Sequence, residues 1–355
     1  MSTMHRPGWG RLAVRRAMPR ALLCAALGVV LLASTGWQTA RAESTRPAWL
    51  GESTEYDSKL LMQIQQAAHK LNYVGVFAYQ QGSDIESSRI VHACDGTNEQ
   101  ERIELLNGTP REYLRLNKSV QCLIPEEKKI VRERERGDRF PGLLLSNTES
   151  IDANYHVRAL PQPLRVAGRQ CQLIDVLPRD ANRYGYRLCV DTESQLLLKA
   201  QTVTREGVVV EQVAFTQVTI GQDIPEKMLK PSWSTEGWSV VESRQRNVDL
   251  GALGWRFSAP SGFMPSSQSE QVFDGDKLVH QLVLSDGLAT ISIFIEPYLK
   301  ERSEYKPVGA AQIGSVNIYG IKVANFWLTV LGEVPASALE QLAQSIQYVP
   351  AAKSK

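Results

Sequence analysis

The strongest constraint on this chain is a rhythm of short apolar runs. Between residues 73 and 219, ten strand-like runs recur at intervals of about ten residues. They are 73–80, 85–93, 101–106, 112–116, 120–124 and 129–135, then 170–177, 184–190, 196–205 and 208–219. Asp95-Gly96, Asn107-Gly108, Asn117-Lys118 and Glu206-Gly207 punctuate them as turns. Short strands separated by turn residues describe an antiparallel meander. One helix precedes it. Leu60, Leu61, Ile64, Ala67, Ala68 and Leu71 follow the i, i+3, i+4, i+7 spacing over residues 56–71, which gives a helix with one apolar face.

The rhythm stops at Asp223. Residues 223–246 hold Pro225 and Pro231, scattered charge and no period, so they read as a linker, with Trp233 and Trp238 pinning it to a domain surface. A second β-rich unit follows from Leu253. Runs 278–284 and 288–295 flank Ser285-Asp286-Gly287, a strong hairpin signal. Runs 316–319 and 321–330 pair around Gly320. Residues 335–346 close the chain as a helix, with Pro335 in its first turn and Leu339, Leu342 and Ile346 on one face.

The N-terminus reads as an address. Residues 1–20 carry Arg6, Arg11, Arg15, Arg16 and Arg20 and no acid. An apolar stretch follows over 21–33, and Ala40-Arg41-Ala42 then supplies a cleavage site. That is the plan of a secretory signal peptide, and its apolar run is short for a membrane span. The expected organisation is therefore a signal peptide at 1–42, an N-terminal domain at 43–222, a linker at 223–246 and a C-terminal domain at 247–350. Removing 1–42 takes six arginines and leaves 34 Lys+Arg against 38 Asp+Glu, a net of −4 in place of +2. Neither value argues for nucleic acid. Cys24 leaves too, and four cysteines remain.

Four cysteines in an exported chain suit two disulfides. Cys171 and Cys189 flank a hairpin around residues 178–183 and fall nearly opposite each other. Cys94 and Cys122 pair by elimination. Signatures of catalysis are missing: there is no HExxH, G-x-S-x-G, P-loop or GxGxxG. His69, His92, His156 and His280 do not fall at metal-ligand spacing, so no metal or cofactor is expected. Arg132, Arg134 and Arg136 share one face of an extended run. They read either as a stripe for an acidic partner or as charges that guard a sheet edge. Two stretches are unusually apolar. Tyr73, Phe77 and Tyr79 lie on one strand, and Phe140, Leu143 and Leu145 follow the charged run; together they are candidates to line an acyl cavity.

Several segments carry a resemblance. Val166-Ala167-Gly168-Arg169, residues 178–190 (PRDANRYGYRLCV), 196–199, 285–297 (SDGLATISIFIEP), 310–320 and 331–335 (LGEVP) resemble the RseB/MucB family of sigma-E regulatory proteins over essentially the whole mature chain. Cys189 stands where that family usually has a tryptophan or another large residue. The resemblance implies an α+β, mostly antiparallel fold. Its first part is a half-open β-barrel similar to LolA and LolB, with plugging helices; its second is a smaller β-rich domain with a closing helix. It implies a periplasmic regulator without catalysis. Such a protein binds the periplasmic part of an RseA/MucA-like anti-sigma factor and shields it from site-1 proteolysis, and lipopolysaccharide or lipoprotein acyl chains release it. Ser285, Asp286 and Leu288 are the candidates for protein contact, with the three arginines. The alternative is a periplasmic lipid or lipoprotein carrier of LolA type. Homo-oligomerisation is left open.

Overall fold

The computed structural model describes residues 54–56, 58–134, 140–142, 148–242, 245–273, 277–299 and 308–350. Leu143, Leu145 and Arg136 lie outside them, as do residues 1–53. Two large sheets organise the described chain. The first takes strands β1 (Thr54–Tyr56), β2 (Tyr73–Gln81), β3 (Asp84–Cys94), β4 (Glu99–Leu105), β5 (Glu112–Leu116), β6 (Ser119–Ile124), β7 (Lys129–Arg134), β8 (Tyr155–Val166), β9 (Arg169–Pro178), β10 (Gly185–Asp191), β11 (Leu197–Val203), β12 (Val209–Ile220) and β13 (Ser239–Glu242). Their order is β1-β8-β9-β10-β11-β12-β2-β3-β4-β5-β6-β7-β13. All pairs are antiparallel except β13, which joins β7 in parallel.

The sheet curls without closing. Strands β8 and β12 lie four spacings apart in the order, about 19 Å on a flat sheet. Their Cα atoms nevertheless come within 8 Å of each other. Strands β1 and β13 end the order and do not pair with each other, so this is the expected half-open barrel. Helices α1 (Lys59–Lys70) and α2 (Thr148–Asn154) cover its inner face. The apolar stripe of α1 puts Leu61, Ile64 and Ala68 into the core, Leu61 and Ile64 each contributing roughly 1.5–3 kcal/mol. Ile151 of α2 joins the same cluster. Ser58 ties the two helices by donating its N–H and hydroxyl to Asp152, each at 2.8 Å.

The other end of α1 is held by charge. His69 Nδ1 lies 3.0 Å from both Glu99 oxygens, and buried His92 lies 3.2 Å from Oε1. The opposite ring nitrogen of His92 donates to the Leu71 carbonyl at 2.7 Å. Burial opposes ionisation of Glu99, but the hydrogen bonds from His69 and His92 outweigh it and hold the carboxyl at about 2.

Cys171 and Cys189 are joined, with Cα atoms 5.4 Å apart. They are diagonal rather than directly opposite, since Cys171 faces Asp191 and Cys189 faces Leu173. Closing this loop stabilises by about 3 kcal/mol. Cys94 and Cys122 are not bonded to each other. Two whole strands, β4 and β5, separate β3 from β6. Cys122 also lies level with Ile90 rather than Cys94, through Tyr113 and Ile103. Three strand spacings are about 14 Å, twice the reach of a bridge.

The segment expected as a linker lies against the outer face of the first sheet. Arg102, back to back with core residue Ile103, donates to Glu112 at 2.6 Å and to the Met228 carbonyl at 3.4 Å. Ser232 N–H donates to Glu112 at 3.0 Å. The segment then supplies β13, so backbone pairing holds it as well as the half-buried Trp233 and Trp238.

The second sheet has the order β14-β16-β17-β18-β21-β20-β19. Its strands are β14 (Gln245–Asn247), β16 (Met264–Phe273), β17 (Lys277–Ser285), β18 (Thr290–Pro297), β19 (Gly309–Ile313), β20 (Val316–Val323) and β21 (Phe326–Gly332). Strands β15 (Trp255–Arg256) and β22 (Gln347–Tyr348) pair separately. Helix α3 (Ala336–Ser345) buries Ala338, Leu339, Leu342 and Ala343 against the sheet. Gly320 is not a turn. It lies inside β20, between Gly309 and Thr329, and the chain reverses at Ala324-Asn325, where Ala324 takes φ 50°.

The Glu99 clamp gives a pH signature. Its folded pKa, about 2, lies below the ordinary glutamate value of 4.5. Stability from this site is therefore full above pH 4.5 and is lost as pH falls from there toward 2. E99Q should cost roughly 2–3 kcal/mol at neutral pH and flatten the acid limb of a urea-midpoint-against-pH curve. An unchanged acid limb would contradict the clamp.

Candidate functional site

Two features gather chemistry: the inner face of the first sheet and the junction between the two sheets. On the inner face, Tyr73, Phe77 and Tyr79 project from alternate positions of β2. Tyr73 is buried, stacks on His92 at 4.7 Å and donates its hydroxyl to the Ala68 carbonyl at 3.2 Å. Phe77 meets Phe215 of β12 edge-on at 6.2 Å. Phe140 seats between them, 5.4 Å from Phe77 and 5.0 Å from Phe215. Three phenylalanines in contact fill the face at this point. Tyr79, nearest the second sheet, donates to Glu211 and accepts from Gln81 at 2.9 Å. Burial and then the Glu211 hydrogen bond push the Tyr79 hydroxyl up, so it stays protonated.

The junction is built around Asp286. The hairpin turn between β17 and β18 folds its own backbone onto this side chain: Oδ1 accepts from the N–H groups of Leu288 at 2.9 Å and Ala289 at 2.7 Å. Oδ2 points into the first sheet. There it accepts from Arg183 Nη1 at 2.7 Å and from the Tyr155 hydroxyl at 2.8 Å. Both charged side chains are 0% exposed. Arg183 also donates to Asp180 at 3.0 and 3.1 Å and to the Ser261 carbonyl. Its guanidinium lies over the rings of Tyr155 and Phe263, at 5.6 and 5.0 Å. Burial, with Tyr186 and Asp286 nearby, raises the Tyr155 hydroxyl well above the ordinary tyrosine value and keeps it a donor. Every polar atom of the pair thus has a partner, which is what a buried ion pair requires.

A second row of contacts runs alongside. Asn317 donates to the Tyr184 hydroxyl at 3.1 Å and to the Val334 carbonyl at 2.8 Å. Gln81 donates to Ser315 at 3.3 Å. Two glycines leave room for side chains that cross the junction. A Cβ on Gly262 would fall 2.2 Å from the Asn154 side chain, and one on Gly314 would fall 1.6 Å from that of Gln81.

This geometry revises the candidate residues. Asp286 is spent inside the molecule and offers no surface to another protein. Leu288 packs on the core of the first sheet. Ser285 accepts the N–H of Gly287 at 3.1 Å within the same turn. Arg132 is exposed and lies 4.0 Å from Glu242 of β13. Arg134 ends β7. Arg183 and Tyr155 were missed. Arg183 sits in a turn, where an arginine reads as solvated, and Tyr155 opens a strand interrupted by Pro161 and Pro163.

Comparisons with known proteins follow this two-part layout. A family model described as the MucB/RseB N-terminal domain matches residues 57–233. One described as the MucB/RseB C-terminal domain matches 249–347. The chain is 26% identical over 309 residues to the sigma factor AlgU regulatory protein MucB of Pseudomonas aeruginosa, covering 83% of this chain and 92% of that protein. It is 23% identical over 290 residues to the sigma-E factor regulatory protein RseB of Haemophilus influenzae, covering 81% and 90%. A crystal structure of MucB in complex with MucA(peri) aligns with a TM-score of 0.64 at 25% identity, over 83% of this chain and all of that one. The Pseudomonas aeruginosa MucA/MucB complex aligns with a TM-score of 0.65 at 25% identity, over 83% and 99%.

The buried pair sets a test. D286N removes the fully buried one of the two carboxylates that hold Arg183, Asp180 being the other, and should lower stability by about 2–4 kcal/mol. The double variant R183M/D286N should lose clearly less than the two single losses summed, as judged by urea midpoints. Additive losses would show that the two groups do not act as a pair.

Proposed function

The chain belongs to the MucB/RseB family, and from that membership we propose that it is a periplasmic negative regulator of an envelope-stress sigma factor. It binds the periplasmic part of a MucA/RseA-like anti-sigma factor and shields that segment from site-1 proteolysis. The carrying observation is that both domain models match in order, and that the MucB of the MucA complexes aligns over 83% of the chain. This role is binding, not catalysis. The locked junction supports it, because a two-domain surface held in one arrangement meets a partner without first being ordered.

Release by lipopolysaccharide or lipoprotein belongs to the same proposal. An acyl chain entering the inner face must displace Phe140 from Phe77 and Phe215. A ligand that prefers the displaced form lowers partner affinity by its differential affinity. The LolA-type carrier reading needs the first sheet alone. It leaves the second sheet and the Arg183–Asp286 pair without a task.

The test uses protein lacking residues 1–42 and the periplasmic domain of the cognate MucA-like protein. Binding at micromolar concentration or tighter is expected, together with slower cleavage of that domain by its site-1 protease. Absence of binding would overturn the proposal.

A further inference from the structure

The free edges of the two sheets are protected unequally. An open edge presents unpaired N–H and C=O groups, and proteins blunt it with charge, proline or brevity. The stretch of β8 beyond β1 carries Pro161 and Pro163. Strand β13 has four residues and places Glu242 near Arg132. Strand β14 has three, with Arg246 bonded to Glu270 at 2.6 Å. Strand β19 has none of these devices. It reads Gly-Ala-Ala-Gln-Ile, pairs with β20 in unbroken register and ends the sheet order. Ile313 is 69% exposed, and Val308, just before the strand, is 76% exposed. Among the described residues no strand pairs with its outer edge.

Its surroundings fit an added strand. Helix α3 lies over β20 and reaches β19, so an extended segment laid along β19 would run beside a helix. Ala310 and Ala311 hold the approach flat with small side chains. The turn leaving β19 lies at the junction, where Gly314 and Ser315 meet Gln81. A strand added here would therefore end at the boundary between the two sheets.

We propose that the outer edge of β19 receives an extended, uncharged segment of the protein partner as an added β-strand. The inference rests on the partner-binding reading above and names the surface that reading leaves open. Main-chain hydrogen bonds would supply the attachment, and the absence of charge on β19 selects a segment without charge opposite it. The occupant is taken as a segment of another protein because the solved MucB structures similar to this chain hold one, MucA.

Hydrogen exchange on the full mature chain, with and without the periplasmic domain of the cognate MucA-like protein, reads this directly. Amides within residues 309–313 should gain protection in the complex. A310K/Q312K, at two exposed positions, should bind on the order of tenfold more weakly while keeping the wild-type urea midpoint. Wild-type binding without protection at 309–313, and with equal affinity for the variant, would overturn the inference and leave the family function standing. Failure of the wild-type chain to bind would instead overturn the function. Protection that grows with protein concentration without partner, alongside a dimer mass, would assign the edge to a second copy and contradict the proposal.

Discussion

The most directed tie between the two sheets is the Arg183–Asp286 ion pair. Taking two charges out of water costs several kcal/mol per ion, and attraction offsets that only when every remaining donor and acceptor is filled. Here they are filled from both sides. The Leu288 and Ala289 amides and the Tyr155 hydroxyl complete Asp286, while Asp180 and the Ser261 carbonyl complete Arg183. An apolar contact could hold two sheets together in many orientations. A network with this many directed bonds holds them in one. Gly262 and Gly314 fit the same design, since a Cβ at either position would displace the Asn154 or Gln81 side chain that crosses the junction.

The first sheet brings its partners to this pair by curling. Its inner face carries a chain of contacts from the helix clamp at Glu99 and His92 through Tyr73 to Phe215, Phe77 and Phe140, and Tyr79 and Glu211 of the same two strands lie beside the junction. The aromatic cluster of the inner face and the junction contacts of Gln81 and Glu211 therefore lie on the same two strands, β2 and β12.

The sequence exposed the parts of this design that are local. Period-two runs and Asx-Gly turns gave the meander, and i, i+3, i+4 spacing gave α1 and α3. The Cys171–Cys189 bridge was readable because a hairpin fixes its own register. Elimination failed for Cys94 and Cys122 because it carries no distance. Strand β8 stayed hidden because Pro161 and Pro163 break its pattern, which an edge position tolerates. Strand β13 stayed hidden because a polar segment gains its strand character only from β7. The junction was least legible. Asp286 looked like a turn residue, as it is, but its counter-ion lies 103 residues earlier in the chain.

The central claim is that this pair fixes the two sheets as a single body. A spin-label distance distribution between I85C on β3 and V272C on β16, both exposed positions, tests it most directly, with Cys94 and Cys122 replaced by serine. One narrow distance is expected for the protein with its junction intact, and a broad distribution for the same labelled protein carrying D286N. A broad distribution with Asp286 in place, or a narrow one that D286N leaves unchanged, would contradict the account.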